Sequence, residues 1–349
     1  MLRPGRAGDR ARLVKLMGRV WGAGAAAHLD RGWEWQHEAN PWVPPGGWYG
    51  YVLERGDDLV GFISGIWSAL HVYGAAHRLI WATDLMVDSA WRGGQGRRLA
   101  AALASEGPLV AGFPVARTRG IWAALGTNVR GCRVRRHTAP LDLEATLARR
   151  GWPSMLAKGA SRLWARVAHR STRRGASTSG LEVLELADVP AELDLFWSRV
   201  STAHAAIAVR DCAFLRWRFL DCPHHDHQIH AVRRSGELAG YLVERLALSE
   251  GGPVATVVDF LTARDDQQAL EALLEQAFDN WRARRVERVE CCLGAACGRL
   301  GAALRKMGFS FGHERTRLAY VTANQVLARR LRERSPWYVT AADSDLDFF

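Results

Sequence analysis

The chain has 349 residues, and 48% of them are hydrophobic. This is enough to fill two hydrophobic cores, so we predict two domains and exclude a disordered or fibrous protein. Arginines and an aspartate interrupt the N-terminal segment where a signal peptide needs an apolar core. No apolar run approaches the roughly 18 residues of a membrane span. We therefore expect a soluble, cytoplasmic protein, whose formal net charge of +11 is compatible with an anionic partner.

The first part of the sequence alternates between helix and strand patterns. Apolar periodicity predicts a helix over about residues 10–21, and alternation predicts a hairpin of "WYGYVLERG" and "DLVGFISGIW". A third strand, "LIWATDLMV", leads into a turn rich in glycine and arginine, which opens a helix over about residues 95–105. A short strand, "PLVAGFP", and a helix ending near "ALG" follow. This order predicts an α/β fold.

Residues 148–180 break this pattern and are predicted to be a basic linker. Eight Lys or Arg residues and no acid lie between Arg149 and Arg174, followed by "STRRGASTSG". The apolar residues in "WPSMLAKGASRLWARVAHR" leave two interpretations open. A helix there would contact an anionic membrane surface through residues 149–174, or it would pack between the two domains.

The earlier pattern then returns. It predicts a helix over about residues 190–200, strands "DHQIHAVRR", "ELAGYLVERLAL" and "VATVVDFLTA", a helix over residues 266–284, strand "VERVECCL" and a helix ending at "KMGF". An ordered series of matches indicates an internal duplication. The matched pairs are Trp35 and Trp217, Pro41 and Pro223, Gly61 and Gly240, Asp84 and Asp259, and Gly126 and Gly308.

The cysteines and histidines do not have the spacing of a metal site. The six cysteines lack paired zinc-ligand spacing and the density of a disulfide scaffold, so we expect reduced thiols. No cysteine or carboxylate pair in HExxH-type spacing accompanies the run from His224 to His230, and we interpret it as a histidine-rich loop and strand edge. No metal is predicted.

The turn in "DLMVDSAWRGGQGRRLAAAL" predicts an anion site. A strand that enters a glycine-rich turn and then a helix leaves backbone N–H groups free at the positive end of the helix dipole. Arg92, Arg97 and Arg98 supply charge. Neither common nucleotide loop fits, because the Walker motif needs Lys followed by Ser or Thr, and a Rossmann fingerprint needs a third glycine at another offset.

This stretch resembles the signature [RQ]-x-x-G-x-[GA] of the GNAT superfamily, the acyl-CoA-dependent N-acyltransferases, with a turn one residue shorter. "WEWQHEANP" and "GFPVARTRGIWAALG" are similar to segments of a tandem subgroup, and together these motifs cover most of residues 1–145. The resemblance implies two tandem domains, each a mixed, mostly antiparallel sheet flanked by helices. It implies acetyl-CoA or another acyl-CoA as co-substrate. The residues implied to bind it are Met86, Val87, Arg92, Gly93, Gly94, Gln95, Gly96 and Arg97.

The second half resembles the family more faintly. In "ARDDQQAL", Asp265 and Asp266 replace the glycines and arginines of the turn, and negative charge at a helix start repels a pyrophosphate. We predict a GNAT-like domain at residues 1–147 that binds acyl-CoA and a degenerate one at residues 181–323. Residues 324–349, which carry three aspartates and two phenylalanines, form a C-terminal tail that is a candidate docking segment.

The resemblance implies direct attack of an amine on the thioester, with a carboxylate as base and often a tyrosine as acid. Asp84 is the first candidate for the base and Glu34, with Glu38, the second; Asp84 is alternatively a hydrogen-bonded structural residue. The tyrosine position is Trp122 here, which has no acidic proton to donate.

The acceptor class stays open between a small-molecule amine, a sugar amine and a peptide amine, and nucleic acid is not favoured. Two other functions stay open. One is a non-catalytic GNAT-like scaffold at a membrane or polyanion. The other is a Fem-type aminoacyl transferase, which takes its acyl group from transfer RNA.

Overall fold

The computed structural model describes residues 1–126, 132–172, 180–249, 252–263, 266–294, 297–306, 308–310, 312–332 and 337–347. The first half and the connector contain these elements: β1 (Leu2–Pro4), α1 (Arg10–Trp21), α2 (Ala23–His37), β2 (Tyr51–Arg55), β3 (Asp58–Val72), β4 (Ala75–Val87), α3 (Gln95–Glu106), β5 (Val110–Gly112), α4 (Arg119–Ala123), β6 (Arg133–Pro140), α5 (Leu143–Arg149) and α6 (Ser154–Thr172).

The second half contains the following elements: β7 (Leu181–Leu186), α7 (Glu192–Ser201), β8 (Ala206–Ala208), α8 (Cys212–Leu215), β9 (His227–Arg234), β10 (Glu237–Ser249), β11 (Gly252–Thr262), α9 (Gln267–Ala283), β12 (Arg288–Leu293), α10 (Gly298–Lys306), β13 (Glu314–Arg317), β14 (Ala319–Val321), α11 (Gln325–Arg332) and β15 (Trp337–Tyr338). The predicted mixed α/β fold, with two mostly antiparallel sheets and flanking helices, is confirmed.

The first sheet has the strand order β1-β2-β3-β4-β5-β14. Strand β8 pairs with the C-terminal end of β3, and β15 pairs with β8. Strands β2, β3 and β4 are antiparallel, whereas β4 and β5 are parallel. Strand β3 is buried along both faces because helices cover the sheet on both sides. On α1, Leu13, Leu16 and Met17 recur at helical spacing and form its buried stripe.

The second sheet has the order β13-β6-β12-β11-β10-β9-β7. Its central hairpin β10–β11 and the parallel pair β11–β12 repeat the arrangement of β3, β4 and β5. Helix α9 packs on this sheet through apolar residues such as Leu273 and Trp281, as α3 packs on the first sheet through Leu99 and Leu103. The two sheets are therefore built on one plan.

The two halves exchange strands. Strand β6, from the first half, lies in the second sheet between β12 and β13, and β14, from the second half, pairs with β5 in the first sheet. Each exchanged strand closes an edge that would otherwise present unpaired N–H and C=O groups. Sheet membership therefore does not follow the order of the chain, and the two halves share a core.

Trp35 and Trp217, matched in the sequence, meet each other in the structure. Their rings stack with centroids 4.6 Å apart, and each indole N–H donates to the other's backbone carbonyl, at 2.7 and 2.8 Å. Reciprocal contacts of this kind arise where two like units meet about a twofold axis. This reciprocal contact is consistent with an internal duplication.

The last described part of the predicted tail, residues 337–347, is buried, and we call it the C-terminal tail. Its backbone begins as β15 beside β8, and Val339, Thr340 and Asp343 are each at most 2% exposed. The buried guanidinium of Arg210 pairs with Asp343 at 2.9 Å, which places the tail inside the molecule. The two terminal phenylalanines lie outside the described residues. Within the described ranges, no helix combines the length and the apolar character that crossing a membrane requires.

Candidate functional site

Strands β4 and β5 separate soon after they meet. They pair at Ile80 with Val110 and at Trp81 with Ala111, and Gly112 still lies so close to Ala82 that a Cβ would be 3.2 Å from its carbonyl oxygen. Beyond this point β4 has no strand partner on that side among the described residues. The backbone of the last third of β4 is therefore open to an extended ligand, in the manner of an added strand.

The glycine-rich turn continues from this open end of β4. The carboxylate of Asp88 accepts from the N–H of Ala90 and shapes a turn of 3₁₀ helix, after which Gly93 and Gly94 have φ of +80° and +88°. Gly94 is the N-cap residue of α3 and brings no side chain that could cap it. The first N–H groups of α3 therefore point outward at the positive end of the helix.

Side chains around the turn leave room and supply positive charge. Arg92 and Arg97 are exposed, and the guanidinium of Arg55 lies 5.0 Å from the Trp91 ring centroid. A Cβ at Gly96 would lie 3.1 Å from Cδ1 of Ile121, so the glycine allows α4 to pack beside α3. The residues predicted to bind acyl-CoA, from Met86 to Arg97, thus form one continuous strand end, turn and helix start.

Asp84 lies on β4 at an irregular point in the sheet. The register between β3 and β4 shifts by one residue opposite it, and its φ of 55° is in the left-handed region. The hydroxyl of Thr83 donates to its carboxylate at 3.1 Å. Burial, and then the nearby carboxylate of Asp345, raise the pKa of Asp84 to about 6, against the opposing hydrogen bonds from Thr83 and Gln36. A carboxylate with this pKa is suited to general base catalysis near neutral pH.

A cleft of about 460 Å³, its open mouth included, lies between α2, the β3–β4 hairpin and the C-terminal tail; we name it the Asp84 cleft. It is lined by Met17, His28, Leu29, Gly32, Gln36, His37, Ile66, Thr83, Asp84, His224 and Asp345. The rings of His28 and His224 stack at its rim with centroids 3.7 Å apart. Burial lowers the pKa of His224 to about 3, so this pair is neutral at pH 7.

His37 presents one unpartnered nitrogen. Its Nδ1 lies 2.8 Å from the carbonyl oxygen of Trp48, so Nδ1 carries the proton and donates. Nε2 is then an acceptor, and it has no hydrogen-bond partner among the described residues although the side chain is 1% exposed. Burial lowers the pKa of His37 to about 4, which keeps the ring neutral.

The other sequence candidates lie elsewhere. Glu34 is on the exposed face of α2, where its carboxylate is 3.3 Å from the guanidinium of Arg10, and Glu38 accepts from Tyr49 on the same exposed side. Trp122 is buried behind α3. No tyrosine is among the described residues that line the cleft. The structure therefore brings Asp84 to the cleft and leaves Glu34 outside it.

The second half contains the same strand and helix with different chemistry. Asp259 is fully buried and pairs with Arg210 at 2.9 Å, while Tyr241 and Thr340 donate to it. Asp266 caps α9 by accepting from the N–H of Ala269 at 3.0 Å. The carboxylate of Asp266 therefore occupies the start of α9, where an anion would otherwise bind. Asp265 lies outside the described residues.

The histidine-rich segment has structural contacts. His230 is bonded to Glu244 at 2.8 Å, and His227 to Asp347 at 3.0 Å. Among the described residues, no group of three or more His, Cys, Asp or Glu side chains could hold a metal ion. All six cysteines are free thiols.

Of the residues that line the cleft, sequence reasoning proposed Asp84 as a site residue. It missed Gln36, His37 and Asp345 among others. Helical spacing gives a partial signal for the first two, since Gly32 and Gln36 lie four apart on one face of α2 while Glu34 lies on another. No signal in the sequence connects Asp345 to β4, because that contact joins positions far apart in the chain.

No protein-family model matches the chain, and no curated protein is significantly similar to it. Solved structures are similar in fold. A GCN5-related N-acetyltransferase from Anabaena variabilis has a TM-score of 0.64 at 11% identity, over 96% of this chain and 75% of that one. A conserved protein of unknown function from Enterococcus faecalis, described as a probable N-acyltransferase, has a TM-score of 0.62 at 11% identity, over 92% and 72%.

A tandem GNAT protein from the clavulanic acid biosynthesis pathway matches over 93% of this chain and 98% of its own, with a TM-score of 0.53 at 17% identity. The chain therefore has a tandem GNAT-type fold, as the sequence motifs predict.

Proposed function

We propose that this chain, with its tandem GNAT fold, is an acyl-CoA-dependent N-acyltransferase whose first half performs the reaction. One observation carries the proposal. In the first half, the open edge of β4 connects an uncapped glycine-rich helix start to a carboxylate with a raised pKa in a cleft. The second half has the corresponding elements but neither feature, because Asp266 caps its helix and Asp259 is held by Arg210.

The acyl-CoA co-substrate would lie along this surface. The N–H groups from Gly94 to Gly96 and the guanidinium groups of Arg92 and Arg97 suit a pyrophosphate. The backbone of Met86 and Val87, at the unpaired end of β4, suits the amide-containing arm that leads to the thioester. With the arm in this position, the thioester would lie near Asp84. The open turn allows phosphate to approach the backbone closely.

The chemistry is a direct transfer. The amine nitrogen forms a bond to the thioester carbonyl carbon, the C–S bond breaks, and the products are an amide and CoA. Asp84 accepts the proton that the attacking nitrogen loses. Because no tyrosine lines the cleft in the described residues, the thiolate leaves as an anion and takes its proton from solvent.

Titration calorimetry with acetyl-CoA tests the cofactor site. We expect saturable binding that weakens on combining Arg92→Glu and Arg97→Glu, because both side chains lie at the turn. Lys15→Glu is the control, since it reverses an exposed charge on α1 outside the turn. An absence of heat and of thermal stabilisation at millimolar acetyl-CoA would contradict the proposal.

A second candidate function is contact with an anionic membrane through α6 and Trp152, which lies two residues before it. Trp152, Met155, Leu156 and Leu163 are 50–84% exposed, next to basic residues such as Lys158 and Arg162. Exposed apolar residues with flanking cations favour the surface of an anionic bilayer. Flotation with anionic and with neutral liposomes tests this contact, and equal recovery from both would contradict it. Arg173 and Arg174, also in the basic segment, lie outside the described residues.

A further inference from the structure

The C-terminal tail carries a carboxylate of the second half into the cleft of the first. Asp345 lines the Asp84 cleft although it is 261 positions away in the chain. Contacts on both sides fix its place: Arg218 donates to the carbonyl of Ser344 at 3.2 Å, and Arg245 donates to the carboxylate of Asp347 at 2.6 Å. The tail therefore holds Asp345 at the cleft.

One strained residue lines this cleft, and another directly precedes a lining residue. Five described non-glycine residues have positive φ, and three of them lie in hairpin turns or directly after a helix: Tyr73, Ser235 and Arg285. The other two are Asp84, with φ of 55°, and Ser344, with φ of 61°, which precedes Asp345. Residues in this region persist where the surroundings impose them, and such positions cluster at ligand sites.

The cleft contains hydrogen-bond acceptors without a cation. None of the described lining residues is Lys or Arg, although the chain has a formal net charge of +11. Arg31 lies near His28 and His224, and Arg218 and Arg315 lie near Asp345, but none of the three arginines lines the cleft. Arg218 donates to carbonyl groups of the tail. Asp84 and Asp345 are half-buried, so their charges act in a medium less polar than bulk water.

The buried Nε2 of His37 is an independent sign of a ligand. An acceptor that is buried without a partner costs free energy, and native structures retain few of them. Its tautomer is fixed by Trp48, so it accepts a hydrogen bond and does not donate one at neutral pH. A ligand that hydrogen-bonds to this nitrogen must carry an N–H or O–H donor.

We infer that the Asp84 cleft binds the acceptor as a small primary ammonium ion, and that Asp345 positions it. This inference rests on the proposed function and names the class of its acceptor. A primary ammonium has three N–H donors, which match the carboxylates of Asp84 and Asp345 and the Nε2 of His37. The remaining apolar lining residues, Met17, Leu29 and Ile66, suit a short alkyl chain beside the charged group. Loss of one proton from the ammonium ion to Asp84 gives the attacking amine. Asp84 passes that proton to solvent and then accepts the second proton, which the nitrogen loses as the amide forms.

The test is a titration of the full chain, labelled with ¹⁵N-histidine, with n-butylammonium and, separately, with butan-1-ol. We expect n-butylammonium to shift the His37 Nε2 resonance and butan-1-ol, which lacks the charge, to leave it in place. Asp345→Asn should weaken this binding about tenfold, because one of two carboxylates is lost. The matched control is Asp30→Asn, which removes an exposed carboxylate of α2 outside the cleft.

Kinetics separates positioning from a merely structural role. With acetyl-CoA and butylamine, Asp345→Asn should raise KM for the amine about tenfold and leave kcat within about twofold. Asp345→Glu, which retains the charge, should recover most of the lost affinity. Thermal melting of each variant shows whether it is folded.

The outcomes distinguish the two proposals. If acetyl-CoA binds while n-butylammonium leaves His37 unshifted at tens of millimolar, the inference about the cleft is wrong and the cofactor site stands. If n-butylammonium binds and acetyl-CoA does not, the proposed acyl transfer fails, and the inferred acceptor role of the cleft fails with it. If Asp345→Asn binds n-butylammonium as tightly as the unaltered chain does, Asp345 has no positioning role.

Discussion

Asp84 and Asp259 occupy the same place in the two halves and have opposite surroundings. Each lies three residues before the strand residue that pairs with Gly61 or Gly240, and each is near a one-residue register shift. Asp259 is buried with Arg210 as its counterion, whereas Asp84 faces a cleft that no arginine or lysine lines in the described residues. One half uses the aspartate to bind its own chain, and the other leaves it available.

The two helix starts differ in the same direction. Gly94 begins α3 with no side-chain cap, and Asp266 begins α9 with a carboxylate that caps it and pairs with Arg234 at 2.8 Å. In each comparison the second half supplies a partner that the described residues of the first half do not: a cation for Asp259 and a capping carboxylate for α9. A polar group that is paired within the protein stabilises the fold, whereas a group without such a partner can bind a ligand. The contrast therefore supports the proposal that the first half performs the reaction.

The largest expected effect is on turnover, at Asp84. Asp84→Asn removes the proposed base with little change in size, so we expect kcat for acetyl transfer to fall about 10²–10⁴-fold. Release of free CoA thiol in the presence of butylamine measures it. Calorimetric binding of acetyl-CoA should be unchanged, since the turn is intact. Turnover close to that of the unaltered chain would show that Asp84 is a structural residue.

The next effect is on stability, at the matched position. Asp259→Asn leaves the buried charge of Arg210 with one carboxylate partner fewer, and breaking such a pair costs about 3–5 kcal/mol of unfolding free energy. Urea unfolding measures the loss. Asp84→Asn serves as the comparison, because it does not leave a buried arginine without one of its carboxylate partners. Equal losses at both positions would remove the distinction between the two aspartates.

Local pattern predicted much of the fold. The helix predicted over residues 10–21 is confirmed as α1, because Leu13, Leu16 and Met17 define its buried face. Helix α3 begins at Gln95 as predicted, because two glycines with positive φ precede it. Helix α2 and the exchanged strands β6 and β14 had no such signal, since strand pairing between halves depends on contacts far apart in sequence.

The site divides in the same way. The sequence is sufficient to propose the turn and Asp84 as candidates, because strand, glycine and helix signals are contiguous there. The C-terminal tail was recognised as a segment without its role, since its acids suggest exposure. Its burial depends on Arg210, Arg218 and Arg245, which are more than 90 residues away in the chain.

The pH dependence of stability tests the environment of Asp84. Its pKa is raised from 3.8 to about 6, so the folded state binds this proton more tightly than the unfolded state does. That contribution is fully present below pH 3.8 and is lost as the pH rises through about 6. The facing groups are Asp345, Thr83, Gln36 and neutral histidines. Above pH 7, Asp84→Asn should therefore be more stable than the unaltered chain by about 3 kcal/mol, at about 1.36 kcal/mol for each pKa unit.

Urea unfolding of the two proteins between pH 4 and pH 8 measures this difference. The advantage of Asp84→Asn should be small at pH 4 and grow toward a plateau above pH 7. A difference that does not change with pH would show that the carboxylate has an ordinary pKa in the folded chain, and Asp84 would lose its advantage as a base.

The smallest predicted effect is that of a substitution that gives α3 of the first half the capping carboxylate of α9. Gly94→Asp places a carboxylate where Asp266 stands in α9, and a Cβ there meets no atom within 4 Å. The new carboxylate should accept from the N–H groups of α3 and repel a phosphate. We expect acetyl-CoA to bind about tenfold more weakly. Titration calorimetry measures the change.

Gly236→Asp is the matched control for this transfer. Gly236 has φ of +86°, close to the +88° of Gly94, and equally open space around its Cα, so the backbone strain and added charge are alike. It lies in the turn between β9 and β10 of the second half, away from α3. Because the two variants differ in position alone, equal weakening would assign the loss to strain or net charge. Weakening confined to Gly94→Asp would locate the phosphate at the helix start that distinguishes the two halves.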